Sequence, residues 1–388
     1  MEDENARIFE NHRAAEFLER PNRFVIRTRD PETGEVLVCH CPNPGSLAEL
    51  ALPGTPLILE RRRTPGATSW TAAAARYRGG IVPLYSARAN GIARDLAIPR
   101  LFPEASGIRP EYRIGGSRFD FYFQDPAGGR HLAEVKSCSL VERGVAMFPD
   151  APSGRALRHL EELAALSREG WTCHVLFLIQ HGNPRVFVPN LHTDPAFAAA
   201  LGVLSPRLDL RAVSLEANED GRVRIVSDDV PIDLGHTDLA AADRGSYLVV
   251  LEIAEPAEVE TGSLGRINFP EGWYVYAGSA RRGLARRLAR HMRKTGKRPH
   301  WHIDYLIPFA RSIRGLALAS YDNLECELAA ALARIDRRHF PAFRTSDSRS
   351  PGPLAPLLSA ATRDPAFLDV PFSSRHDRPP ARDRRGAA

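Results

Sequence analysis

Cysteine, long apolar runs and lysine are all scarce in this 388-residue chain. The five cysteines (Cys39, Cys41, Cys138, Cys173 and Cys326) are few, scattered and odd in number, which argues against a disulfide framework. No apolar run approaches the ~18 residues that a membrane span needs. Acids outnumber bases between Met1 and Arg20, unlike a signal peptide. The expected location is therefore the cytoplasm, with no membrane partner. Of the 52 basic residues only Lys136, Lys294 and Lys297 are lysine. A chain that uses arginine wherever any cation serves keeps lysine where a compact, movable ammonium is needed.

The length suggests two or three domains at roughly 150 residues each. With 43% hydrophobic and 26% charged residues, the chain is no disordered polymer, collagen or coiled coil. Residues 14–84 read as short strands. Arg23–Thr28 and Glu35–His40 flank hairpin chemistry at Asp30-Pro31-Glu32-Thr33-Gly34. A turn at Pro42–Gly45, a short helix-like piece ending near Pro53-Gly54 and a strand from Thr55 to Arg61 follow, consistent with a small barrel. Cys39-His40-Cys41 could be read as a metal clip. On a strand, however, the two cysteines share a face and His40 points away, and no second ligand pair follows at zinc spacing.

Residues 85–232 change to an α/β pattern. A helix is expected over Ala89–Ala97, paired strands over Arg118–Phe123 and His131–Ser137, a helix over Ser153–Ser167 and a buried strand over Cys173–Gln180. Residues 233–244 read as a linker. A third unit, 245–359, opens with strands Gly245–Leu251 and Trp273–Ala277 and a helix over Leu284–Met292. The segment 360–388, rich in Arg, Pro, Asp and Ala, reads as a disordered tail.

Strand alternation puts Glu134 and Lys136 on one face, with Asp120 across a hairpin amid Phe119, Phe121 and Phe123. Two carboxylates can hold Mg²⁺ or Mn²⁺, and an ammonium beside them can position an attacking water or steady developing charge. Arg118-Phe119-Asp120-Phe121, Glu134-Val135-Lys136-Ser137, Phe148-Pro149-Asp150-Ala151 and the earlier His40-Cys41-Pro42-Asn43-Pro44-Gly45-Ser46 closely resemble the sugar fermentation stimulation protein family. The resemblance spans about residues 14–232. It implies an OB-like barrel, a PD-(D/E)xK nuclease-like domain and nucleic-acid binding, with DNA ahead of RNA. It also implies an active-site set of Asp120, Glu134 and Lys136, assisted by Asp95 where the family tends to have Glu. Asp120, Glu134 and Asp95 are then the metal carboxylates and Lys136 the catalytic ammonium. The chain departs from the family at Pro44, usually Thr, and at Ala156-Leu157-Arg158-His159-Leu160, where the family runs Gly-Gln-Lys-His-Leu. Arg155, Arg158 and His159 read either as phosphate contacts or as a solvated helix face.

Residues 281–298 hold nine lysines and arginines and no acid, the electrostatic footprint of a polyanion partner. Arg286, Arg290, His291, Arg293 and Lys294 are its expected nucleic-acid contacts. Gly245-Ser246-Tyr247, Tyr276-Ala277-Gly278-Ser279, Arg287, Arg290-His291 and His300-Trp301-His302-Ile303-Asp304-Tyr305 resemble an uncharacterised GIY-YIG-like family. That resemblance implies catalytic Tyr247, Tyr276 and Arg287, with Arg286 as the neighbouring register, and Glu325 as the metal ligand. The family's later cysteines and histidine are absent after Thr345-Ser346-Asp347-Ser348. The whole reads as a multidomain nucleic-acid-binding protein with metal-dependent nuclease activity. A non-catalytic DNA-binding regulator of sugar-utilisation genes is the alternative. No dinucleotide-cofactor motif or sugar site is visible.

Overall fold

A computed structural model describes residues 6–62, 66–262, 265–335 and 358–360. The expected tail, apart from Ala360, and the departure after Ser348 lie outside the described residues. Residue contacts divide the chain into two units. One is Met1–Ser246 with Ser279–Arg287 and Leu316–Asn323; the other is Tyr247–Gly278, Leu288–Gly315 and the residues from Leu324.

The first unit begins with β1 (Ala6–Arg7) and five barrel strands: β2 (His12–Asn22), β3 (Val25–Arg29), β4 (Val36–His40), β5 (Pro56–Arg61) and β6 (Trp70–Tyr77). They pair in the order β4-β3-β2-β5-β6, and β6 returns to β4 in parallel, which closes the barrel. Asp30 makes the β3–β4 turn. Its carboxylate accepts the N–H groups of Glu32 and Thr33, and its carbonyl accepts that of Gly34, which sits at φ 73. Phe17, Ile26, Leu57 and Leu59 fill the interior together with Cys39 and Cys41. Both thiols are buried, Cys39 against Thr28 and Cys41 on the Asn43 carbonyl, so this pair packs the barrel. All five cysteines are free.

Strand β6 belongs to two cores at once. Ala72 and Ala75 face the barrel, while Ala73 and Ala74 face the next layer, and all four are 0% exposed. The sheet continues through β7 (Gly80–Pro83) into the α/β layer. There it is joined by β8 (Ser106–Ile114), β9 (Ser117–Gln124), β10 (Arg130–Cys138), β13 (Thr172–Ile179) and β15 (Asp209–Ala217), in the order β7-β15-β13-β10-β9-β8. The strands β11 (Leu140–Glu142), β12 (Val145–Phe148) and β14 (Val186–Pro189) form a small separate sheet, and β16 (Arg222–Ser227) pairs with β15 and β1. β10, β13 and β15 run parallel, and β8 and β9 are antiparallel.

One face is covered by a helical stretch made of α1 (Ala89–Ile92), a wider turn over Ala93–Ala97 and α2 (Ile98–Leu101). The other is covered by α3 (Gly154–Ser167) and α4 (Pro195–Leu204), whose Leu160, Leu163, Phe197 and Leu201 pack on Leu132, Val175 and Phe177. Ser153 caps α3 through Ala156 N–H, and Asp194 caps α4 while also accepting Ser153 N–H. The expected linker contains a short helix, α5 (Asp238–Ala241), and Asp243 accepts the N–H groups of Leu284 and Ala285.

The C-terminal sheet is ordered β21 (Ser312–Ala319), β17 (Gly245–Ile253), β20 (Gly272–Ala280), β22 (Leu358–Ala360). It is accompanied by the hairpin β18 (Ala257–Glu260)–β19 (Arg266–Phe269) and the helices α6 (Leu284–Met292), α7 (His302–Leu306) and α8 (Glu325–Ile335). Among the described residues no helix is long and apolar enough to cross a membrane.

A hydrogen-bonded chain runs across the first residues of β10, β13 and β15. His131 Nε2 meets Asp125 at 3.2 Å, His131 Nδ1 meets His174 Nε2 at 2.9 Å, and His174 Nδ1 meets Asp209 at 2.7 Å. A carboxylate only accepts, so on each ring the nitrogen that faces the carboxylate carries a proton. Burial holds the His174 pKa below its ordinary 6.5; Asp209 pulls it upward, and His131 and Arg211 push it further down. An unfolded His174 therefore takes up a proton that the folded ring resists, and stability falls as pH drops below about 6.5. Denaturant melts between about pH 7 and pH 5 should show this slope, and His174→Gln should flatten it. An unchanged slope in the variant would remove His174 as its source.

Candidate active site

β9 and β10 pair regularly from Gln124–Arg130 to Phe121–Ala133, and there the ladder stops. Beyond it the Val135 N–H donates to Asp120 Oδ2 at 2.8 Å, and Asn90 Nδ2 donates to Oδ1 at 2.7 Å. Burial, and then the neighbouring Glu134 charge, push the Asp120 pKa up; the Val135 and Asn90 hydrogen bonds and Lys136 pull it back. Phe119 packs with the α3 layer, whereas Phe121 and Phe123 pack with the opposite one.

Glu134 and Lys136 share a face, as alternation predicts, and are 4% and 7% exposed. Lys136 Nζ donates to Glu134 Oε1 at 2.7 Å, and His159 Nδ1 lies 2.5 Å from the same oxygen. Burial pushes the Glu134 carboxyl up, but the His159 hydrogen bond and Lys136 outweigh it and bring its pKa to about 2. Glu134 Oε2 is buried and finds no hydrogen-bond partner among the described residues.

Asp95 stays outside this group. It is exposed and paired with Arg94. Five helical residues from Asn90 amount to roughly 140° around the axis, so one helix cannot aim both at Asp120. No cluster of three or more His, Cys, Asp or Glu side chains able to hold a metal occurs among the described residues. Asn90 and His159 are the members that were not assigned to this site from sequence. An amide at the start of the 89–97 helix was the available signal for Asn90. His159 was read with Arg155 and Arg158 as a phosphate contact or a solvated helix face, and it is instead buried against Glu134.

His159 also lines an open cleft with Gly116, Ser117, Arg118, Arg155, Arg158 and Glu162. Arg155 and Arg158 are exposed on α3, and Arg118 stands near the start of β9, pairing with Glu111 at 3.2 Å. Three arginines thus stand at the mouth with Glu162, which lies 3.9 Å from Arg158, and the Glu134–Lys136 pair lies behind His159.

In the C-terminal unit Tyr247 is 1% exposed, and its hydroxyl meets His291 Nε2 at 3.0 Å. His291 is fully enclosed, with Nδ1 3.4 Å from Asp304. Asp304 gathers Arg290 at 2.9 Å, Lys297 at 3.0 Å and the N–H groups of His300 and Trp301. Burial raises the Asp304 pKa, but these hydrogen bonds together hold it far below the carboxylate range. His291 therefore cannot touch a phosphate from this position, contrary to expectation, because it is sealed between Tyr247 and Asp304. Arg290 is likewise committed to Asp304 and to the Trp301 face, 4.6 Å from the ring. Lys294 donates to the Ala310 carbonyl. Arg286 and Arg293 remain exposed. Tyr276 is 4% exposed, its ring 6.3 Å from that of Tyr247; Glu325 opens α8 and is 5% exposed. Arg287 donates to the Ser279 carbonyl at 2.6 Å.

Comparison with known proteins puts this geometry in context. Family models described as the SfsA N-terminal OB domain and the Sugar fermentation stimulation protein RE domain match residues 18–84 and 87–220. The sugar fermentation stimulation protein homolog of Natranaerobius thermophilus is 38% identical over 192 residues, 48% of this chain and 79% of that protein. The chain belongs to the sugar fermentation stimulation protein family. Its homolog in Thermoplasma acidophilum is 38% identical over 199 residues, 51% of this chain and 82% of that one. A solved relative in this family, Pyrococcus furiosus SfsA in complex with Ca²⁺, superposes with a TM-score of 0.53 at 28% identity, covering 59% of this chain and 99% of that one. The barrel and the nuclease-like layer are thus the family's fold. Residues 246–366 match a domain of unknown function, DUF123.

Gly278 is where Tyr247 needs room, since a Cβ there would stand 2.6 Å from the phenol ring. Gly278→Ala should displace Tyr247 from His291 and destabilise the C-terminal unit by about 1–3 kcal/mol. A wild-type melt for the variant would show that the ring moves aside freely.

Proposed function

We propose that the chain binds nucleic acid, DNA in preference to RNA, and hydrolyses phosphodiester bonds at Asp120, Glu134 and Lys136 with a divalent cation, Mg²⁺ or Mn²⁺. The observation that carries this reading is Glu134. It is held ionised in a buried place at the foot of an arginine-lined cleft, with one oxygen turned away from both of its donors.

The residues fit such an ion. Glu134 Oε2 is available, Asp120 lies near enough for the Glu134 charge to raise its pKa, and hard cations bind through one or two carboxylates plus water and phosphate oxygens. The Ca²⁺ in complex with the Pyrococcus furiosus relative is a cation of the same kind. When bound, the ion supplies positive charge that lowers the pKa of a water and screens the phosphate. Lys136 uses one donor on Glu134, leaving others to orient the attacking water and meet charge developing on phosphorus. Asn90 and the Val135 N–H keep Asp120 facing the site. Arg118, Arg155 and Arg158 attract and align the strand.

We further assign residues 245–359 to a GIY-YIG-like module with Tyr247, Tyr276, Arg287 and Glu325 as its set, and the exposed Arg286 and Arg293 as backbone contacts. The proposed location is the cytoplasm. Leu157, in place of the family's Gln, favours the competing reading of a non-catalytic DNA-binding regulator.

Incubation with labelled single- and double-stranded DNA and RNA, with Mg²⁺, Mn²⁺ or EDTA, separates the two. Metal-dependent shortening of the strand supports the nuclease, and salt-dependent binding without cleavage supports the regulator. Lys136→Ala should lower cleavage by on the order of a hundredfold or more while leaving binding nearly intact, because the loss falls on transition-state charge. Equal rates in the two proteins would sink the assignment.

Arg155→Ala and Arg158→Ala should each reduce the slope of log affinity against log salt by about 1. Slopes identical to wild type would take the cleft out of the binding surface.

A further inference from the structure

Glu134 receives two donors, and both fall on the same oxygen. Resting on the divalent-cation reading above, we infer that His159 is a positioning residue. It holds Oε1 of Glu134 for the protein and so fixes the carboxylate plane with Oε2 presented to the ion.

The two donors are not equivalent. Lys136 carries its ammonium on a flexible stem and can follow a carboxylate that swings. His159 cannot. It is 4% exposed on α3, flanked by the buried Ala156, Leu160 and Leu163, with the Phe119 ring 5.9 Å away, edge-on. α3 itself is pinned by the Ser153 cap and by the Asp194 contact with the Ser153 N–H. The torsion that turns a glutamate carboxylate is broad, so a rigid partner is what narrows it. A carboxylate only accepts, so His159 Nδ1 carries the proton and the hydrogen bond has one sense.

The departure from the family at Leu157 leaves this contact in place. Two residues on a helix are roughly 200° apart around the axis, so Leu157 and His159 face different ways. Loss of a partner that orients a metal-ligating side chain commonly costs about 10- to 100-fold in metal affinity.

The test is Mn²⁺ binding by calorimetry on the full chain at one pH, with a thermal melt of each protein. His159→Leu fills similar space without a donor, and His159→Asn places an amide N–H near the position of Nδ1. The Leu variant should bind Mn²⁺ about 10- to 100-fold more weakly, and the Asn variant should recover most of that loss. If the Leu variant fails to fold, His159→Ala takes its place. A donor-less variant that folds and binds Mn²⁺ as tightly as wild type would remove the role of His159 alone. A wild type that binds no Mn²⁺ would instead remove the ion from the proposed function.

Discussion

A charged carboxylate kept inside a protein layer constrains everything around it. Glu134 would be costly to bury alone, and an unpaired buried charge is among the most destabilising features a fold can contain. Lys136 and His159 offset that cost only if β10 and α3 are held at one separation and one rotation. The rest of the α/β layer supplies that setting. Leu160 and Leu163 seat α3 on the sheet, Ser153 and Asp194 fix its start, and the opposite helical stretch brings Asn90 to Asp120.

The barrel and this layer are joined by shared structure as well as by sequence. The four alanines of β6 let two cores approach one strand from both sides, because a larger side chain on either face would hold one of them away. The loop after β4 is held from two directions. Arg20 donates to the carbonyls of Arg23, Asn43, Gly45 and Ser46, while Asp150 accepts the Leu47 N–H. Gly45 lies so close to the Asp150 carboxylate that a Cβ would be only 2.3 Å from one oxygen. Glu49 is nearby, its pKa pushed by burial to about 7 with Asp150 and Glu142 adding to the rise. Two segments that looked like separate family motifs, around Asn43-Pro44-Gly45 and Phe148-Pro149-Asp150, are thus two sides of one contact.

In the C-terminal unit, charge alone was a poor guide to which residues face solvent. Residues 281–298 look like a uniform polyanion-binding run, yet Arg290 and Lys297 converge on the buried Asp304 and Lys294 holds a backbone carbonyl. The acid that pairs with them comes from α7, outside the run. Its polyanion-facing capacity rests on fewer cations, Arg286 and Arg293 among them.

Features governed by neighbours in sequence were legible at once. The Asp30–Gly34 turn, the α3 helix with leucines at helical spacing, the buried β13 run and the shared face of Glu134 and Lys136 all follow from turn chemistry and the two side-chain periods. The Ala72–Ala75 run carries no such signal, because alanine favours helices in isolation and becomes a strand here only through burial on both faces. Asn90 and His159 were beyond sequence reasoning for a similar cause. Each reaches its carboxylate from 30 and 25 residues away along the chain. Periodicity shows which way a side chain leaves its own element, but the partner it meets depends on how helices pack on a sheet, and that is settled by the volumes of the whole core.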